Sequence, residues 1–150
     1  MSGARESGLW KWLRKAQFHY RDALAMYRVE NMLAAGMADV EGSLLDSQFF
    51  AELKSEARPA REDTPIRFKV KDREAQMNWL KERWRLAGNA WLFVQVGSSH
   101  QAARYLIPGQ YAQSVYDGLC EADISILSRS SATDTAADIV ARMARRKHDR

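Results

Sequence analysis

Between Phe49 and Lys54 the chain reads Phe-Phe-Ala-Glu-Leu-Lys, a short apolar run that carries a carboxylate and an ammonium two positions apart. In an extended strand side chains alternate between faces, so Phe50, Glu52 and Lys54 share one face while Phe49, Ala51 and Leu53 share the other. A charged pair on an otherwise apolar strand is costly to bury without a partner. A divalent cation meets that need. Mg²⁺ or Mn²⁺ takes hard oxygen donors, and the Glu52 carboxylate, the main-chain carbonyl of Leu53 and an aspartate from a neighbouring strand would surround one ion, with Lys54 beside its water. Asp39, three residues after Gly36, is placed to be that aspartate.

The frame around this stretch is that of one ordinary domain. At 150 residues, with 46% hydrophobic and 28% charged side chains, the chain can bury a core without disulfides or a structural metal. The lone Cys120 has no cysteine or histidine neighbours at zinc-ligand spacing, and its solitude suits a reducing cytoplasm. No apolar run reaches the roughly 18 residues of a membrane span. His19, His100 and His148 are scattered, with no serine or cysteine motif beside them, which argues against a histidine-based triad. The net charge of +4 is compatible with a polyanionic partner.

Hydrophobic periodicity predicts the elements. Leu9, Leu13, Ala16 and Tyr20 make an amphipathic helix from Glu6 to about Met26, and Trp10 and Trp12 cannot both lie on its stripe, so one packs sideways or meets a second subunit. Residues 26–33 read as a first strand. Gly42 and Ser43 mark a turn between a second strand beginning near Asp39 and the strand holding Glu52, a hairpin that brings the two carboxylates together. Asp39 alone reads as a turn residue beside glycine. With Glu-x-Lys following and a hairpin between, it reads as a ligand. Residues 55–74 form a long connection with Arg58, Arg61, Arg67, Lys69, Lys71 and Arg73, either a grip for the phosphates of DNA or a solvated loop balanced by Glu56, Glu62, Asp63 and Asp72. Ala75, Trp79, Leu80, Trp84 and Ala87 form a helical stripe that Gly88 ends, and the continuous apolar run 90–96 is a buried strand parallel to its predecessor, with the helix as crossover. Residues 104–107 make a last strand. Signals then weaken: 111–119 is a short helix, 125–131 a serine-rich connector, and Ser131 to Asp134 a capping box for a closing helix on Ala136, Ile139, Val140 and Met143. A basic tail, 145–150, ends the chain. One α/β domain with a mixed central sheet flanked by helices follows, its core at about 6–109 and a helical extension at about 110–150.

Gly36-Met37-Ala38-Asp39 followed by Glu52-Leu53-Lys54 resembles the PD-(D/E)xK nuclease superfamily, in particular its small phage, VRR-NUC-type and Holliday junction resolvase-like members. Ala38 stands where that pattern usually has proline. Gln76-x-x-Trp79-Leu80 is similar to the family's QxxWL, where the glutamine faces the site, and Arg28-Val29-Glu30-Asn31 to an RxEN stretch before its aspartate loop. The resemblance implies a restriction-endonuclease-like core and Mg²⁺-dependent cleavage of DNA that leaves a 5′-phosphate. It implies metal ligands at Asp39, Glu52 and the Leu53 carbonyl, catalytic help from Lys54 and Gln76, and a further carboxylate at Glu6 or Glu30, between which the residues do not choose. It also implies homodimers that act on branched DNA. Bland readings stand beside these: Glu6 as a helix-dipole complement, Glu30 as a solvated strand carboxylate and Gln76 as an exposed helix residue. A binding protein of this fold without turnover, or an assembly protein whose tryptophans make interfaces, are the rival readings.

Overall fold

The computed structural model describes residues 2–29 and 36–145, with side chains from residue 8 onward. Five strands form one mixed sheet in chain order: β1 (Leu24–Arg28), β2 (Val40–Leu44), β3 (Ser47–Glu56), β4 (Ala90–Val96) and β5 (Ala103–Pro108). Neighbours pair antiparallel except β3 and β4, which run parallel from Phe50↔Ala90 to Glu56↔Val96. A parallel pair needs a crossover, and α3 (Arg73–Ala87) supplies it as expected. Gly88 at φ 62 ends that helix, its N–H donating to Trp84 O at 2.8 Å.

Helices cover both faces, so the central strands are buried on both sides and read as near-continuous apolar runs. On one face α1 (Ser2–Leu13), α2 (Ala16–Tyr20) and α6 (Ala136–Ala144) bring Leu9, Leu13, Ile139 and Met143 onto Phe49, Leu53, Trp91 and Phe93. On the other, α3, α4 (Ala112–Asp117) and α5 (Glu121–Leu127) set Leu80, Val115 and Ile124 against Phe50, Leu92, Val94 and Ile107. Phe49, Ala51 and Leu53 therefore face one layer and Phe50 the other, the alternation expected of β3. Among the described residues no helix is long and apolar enough to cross a membrane.

Four expectations need correction. The opening helix is not continuous to Met26: it breaks after Leu13, and the chain reverses at Arg21, φ 50, where Gln17 Nε2 donates to the carbonyls of Arg21 and Leu24 at 2.7 and 2.6 Å. The first strand starts earlier than predicted because Leu24 is buried opposite Leu44; residues 30–35 lie outside the described residues. The serine-rich connector begins as helix α5, whose Ile124 is buried. The capping box lies one turn later than predicted, at Thr135 and Asp138, while Asp134 is engaged by Arg142 at 2.7 Å.

The Gly42-Ser43 turn is absent as well. Both residues sit inside β2, Gly42 opposite Phe49, and the chain turns at Leu45-Asp46 with Leu45 at φ 56. Glycine serves another purpose here: a Cβ at position 42 would stand 2.2 Å from Cζ of Phe49, whose ring lies over the bare backbone. Phe49 is fully buried and has nowhere to move. Gly42→Ala is expected to destabilise the protein by about 1–3 kcal/mol with an unchanged m-value in urea, the cost of overpacking a closed site.

Candidate active site

Pairing of β2 with β3 stops at Val40↔Ala51. Beyond that pair β2 keeps to β1, with Val29 N–H donating to Asp39 O at 2.6 Å, while β3 keeps to β4 as far as Glu56. The sheet therefore forks. Phe50 N–H donates to Asn89 O on the β4 side, so by alternation the main-chain groups of Leu53 point to the β2 side, into the fork, where no strand meets them. Side chains take over. Asp39 Oδ2 accepts the Leu53 N–H at 3.1 Å, and Glu52 Oε1 accepts the Asp39 N–H at 3.1 Å. The two carboxylates are thus laced together through the main chain, and the Leu53 carbonyl opens toward the same gap.

Glu52 and Lys54 are buried, at 1% and 6% exposure, on the α3 side of β3. Lys54 Nζ lies 3.3 Å from Glu52 Oε2 and donates to Lys69 O at 3.1 Å. One ammonium faces two acids. Burial pushes the Glu52 carboxyl up, the neighbouring Asp39 pushes it further, and Lys54 only partly opposes them, which leaves it at about 8. The protein on its own answers the missing positive charge by holding a proton on Glu52.

A divalent cation is the other answer, and the donor set fits one. Asp39, Glu52 and the Leu53 carbonyl offer hard oxygens with no histidine or thiolate among them, which suits Mg²⁺ or Mn²⁺ rather than zinc. Among the described residues no three acidic, histidine or cysteine side chains gather as a metal cluster; the described donors are two carboxylates and one carbonyl. The side chain of Glu6 and all of Glu30 lie outside the described residues.

Asp39, Glu52 and Lys54 border an open depression of about 400 Å³ together with Lys69, Val70, Lys71 and Gln76. Gln76, in the first turns of α3, accepts a hydrogen bond from Tyr116 O–H on its Oε1 at 2.7 Å, which leaves its NH₂ as donor. A larger hollow of about 920 Å³, bordered by Trp79, Arg83 and Leu86, lies on the outer side of α3 and touches neither Asp39 nor Glu52. Size does not mark the chemistry in this molecule.

The long connection is pinned rather than loose, with Ile66 bridged to Leu119 and both Ile66 and Phe68 buried. Its basic residues divide. Arg58 donates to both Glu121 oxygens, at 2.7 and 3.1 Å, and to the carbonyls of Gln101 and Val96; Arg67 donates to Asp117 O at 3.0 Å, Arg73 pairs with Asp117, and Arg61 with Asp63 at 3.6 Å. Lys69 and Lys71 are exposed on the rim of the depression. Sequence reasoning missed Tyr116 and the anchoring carbonyl of Lys69, since neither a tyrosine in a weakly patterned segment nor a main-chain oxygen leaves a signal in the order of residues.

No family model matches this sequence, and no curated protein matches it at a significant level. Among solved structures the chain is similar to Hjc, a Holliday junction resolvase from the archaeal hyperthermophile Archaeoglobus fulgidus, with 19% identity, coverage of 82% of this chain and 98% of that chain, and a TM-score of 0.42.

The protonated Glu52 sets a pH dependence. Its folded value of about 8 lies above the ordinary 4.5, so the folded state holds a proton that the unfolded state releases between those two pH values. In chelator, stability is expected to be greatest below that window and to fall as pH rises through it, by up to about 1.4 kcal/mol per pH unit. Thermal melts from pH 5 to 9 check this, and Glu52→Gln is expected to flatten the slope.

Proposed function

We propose that this chain is a Mg²⁺- or Mn²⁺-dependent endonuclease that hydrolyses phosphodiester bonds in DNA, selective for branched duplexes such as four-way junctions. The observation that carries the reading is the fork. It sets Asp39 and Glu52 side by side and brings Lys54 to 3.3 Å from Glu52 at the floor of an open depression. The order of Asp39, Glu52-Leu53-Lys54 and Gln76-x-x-Trp79-Leu80 along the chain, similar to the PD-(D/E)xK pattern, supports it further.

Asp39, Glu52 and the Leu53 carbonyl would hold the ion, which when bound polarises the scissile phosphate and lowers the pKa of its water. Lys54 is fixed between Glu52 and Lys69 O, so its charge is in place before substrate arrives and offsets the negative charge that builds on the phosphate oxygens. Gln76, oriented by Tyr116, turns NH₂ donors toward the depression and steadies either the attacking water or a phosphate oxygen. Lys69 and Lys71 on the rim neutralise the phosphates on either side of the scissile one, with Arg61 and Arg67 further along the same connection. Two copies related by a two-fold axis would place two such sites for paired incision of a junction.

A second reading keeps the fold and the DNA but not the turnover. It draws on Ala38, where the motif usually has proline, and on a described site with only two carboxylates. One experiment separates the two readings: four-way junctions, flaps, linear duplex and single strands are incubated with Mg²⁺ or Mn²⁺, using wild type, Asp39→Ala and Lys54→Ala. Metal-dependent cutting of the junction is expected, reduced about 100-fold or more in each variant while thermal melts show both still folded. Binding without cutting would favour the second reading, and neither binding nor cutting would overturn both.

A further inference from the structure

Among the described residues Arg104 has no ion-pair partner. It lies on β5 with the same parity as Leu106, whose side chain joins the layer of Leu53 and Phe93; Glu52 and Lys54 alternate with Leu53 and point the other way. Arg104 is therefore on the face of the sheet opposite the carboxylate pair. Its guanidinium is stacked over the Trp12 ring at 4.3 Å, and its Nε is buried with no hydrogen-bond partner. Partial burial pulls its pKa down, with no neighbouring carboxylate to oppose the shift. Buried guanidinium donors are ordinarily satisfied, so an open one points to a group that completes it.

The surroundings suit an anion. A depression of about 490 Å³ beside Arg104 is bordered by Trp12, Lys15, His19, Asp134 and Thr135. Lys15 and His19 are exposed, Lys15 between α1 and α2 and His19 on α2; among the described residues neither forms a salt bridge, and His19 acts on Asp138 only through its charge at longer range. The acids nearby are already engaged: Asp134 holds Arg142 at 2.7 and 3.2 Å, and Asp138 caps α6 by accepting the Thr135 N–H at 2.9 Å. What remains is a guanidinium, an ammonium and an imidazole converging on one hollow, with an indole that fixes the guanidinium plane. A rigid planar fork with additional point donors around it is the arrangement that recognises a phosphate group.

We propose that Arg104, Lys15 and His19, with Trp12 as support, form a phosphate-binding site on the face of the sheet opposite the carboxylate pair. The phosphate belongs either to a nucleic-acid strand or to a free phosphate or nucleotide, and the chemistry of recognition is the same. The site does not depend on what the carboxylate pair does.

The test follows the Arg104 Nε–H, Trp12 Nε1–H and His19 ring resonances of the full chain by NMR in chelator. Separate titrations use inorganic phosphate, thymidine 5′-monophosphate and a short single-stranded oligonucleotide, each against sodium chloride at matched ionic strength. Saturable shifts at these three residues are expected with at least one phosphate probe and not with chloride. A response to the oligonucleotide alone assigns the site to a strand; a response to phosphate or the mononucleotide assigns it to a free ligand. Arg104→Met, which keeps the bulk over Trp12, and Lys15→Ala, at an exposed position, are each expected to weaken binding about tenfold, the loss of one charge-assisted contact. Asp39→Ala is expected to leave binding unchanged. No saturable shift with any phosphate probe, equal shifts with chloride, or undiminished binding in the folded Lys15→Ala and Arg104→Met variants would overturn the proposal.

Discussion

Two hydrogen bonds at the mouth of the sheet hold the candidate site in shape: Asp39 Oδ2 with the Leu53 N–H, and Glu52 Oε1 with the Asp39 N–H. They occur because β2 leaves β3 after Val40 while each strand stays with its outer neighbour. A buried main-chain amide left open costs about as much as a lost hydrogen bond. The fork is stable only because acidic side chains replace the missing strand, and the same replacement crowds two negative charges into one place. Structure and chemistry arise there from one demand.

The rest of the fold keeps that fork from closing or drifting. β3 is buried on both faces, with the Phe49 ring over Gly42 on one side and Phe50 packed edge-on against Trp79 at 5.2 Å on the other. Trp91 on β4 meets Trp84 at 4.9 Å and donates its Nε1–H to Met143 O, tying crossover helix, sheet and closing helix together. Lys54 gains a second anchor from Lys69 O because Ile66 and Phe68 pin the connection against the protein. A charged pair on so rigid a strand cannot relax away from its neighbours, and for that reason Glu52 responds to the crowding by shifting its proton equilibrium rather than by moving.

Much of this was legible in the order of residues. Period-two alternation in 49–54 correctly assigned the two faces of β3, the stripe from Ala75 to Ala87 correctly gave the crossover, and the apolar run 90–96 correctly gave a parallel central strand. These signals are strong because burial on both faces leaves few polar residues to blur the pattern. Errors gathered where one residue type serves two purposes. Gly42 looks like a turn and is a seat for a ring; Ser131 and Asp134 look like a cap and lie a turn too early. The basic connection reads as either a grip for phosphates or a loop balanced by its own acids, yet Arg58 is held by Glu121, 63 positions away, a pairing that no local pattern records.

By itself the sequence determined the α/β architecture, the sheet's parallel pair and the pairing of a carboxylate with an ammonium on one face of β3, because hydrophobic period and strand alternation are local properties. Only the tertiary structure decided that β2 and β3 part after Val40, that the Asp39 carboxylate accepts the Leu53 N–H while the Glu52 carboxylate accepts the Asp39 N–H, that Tyr116 aims Gln76, and that Arg104 stacks over Trp12. Each of these depends on where a strand stops pairing or on which distant segment arrives to fill a gap. Such outcomes are set by packing the whole chain, and hydrogen bonds between residues far apart in sequence leave no periodic trace in it.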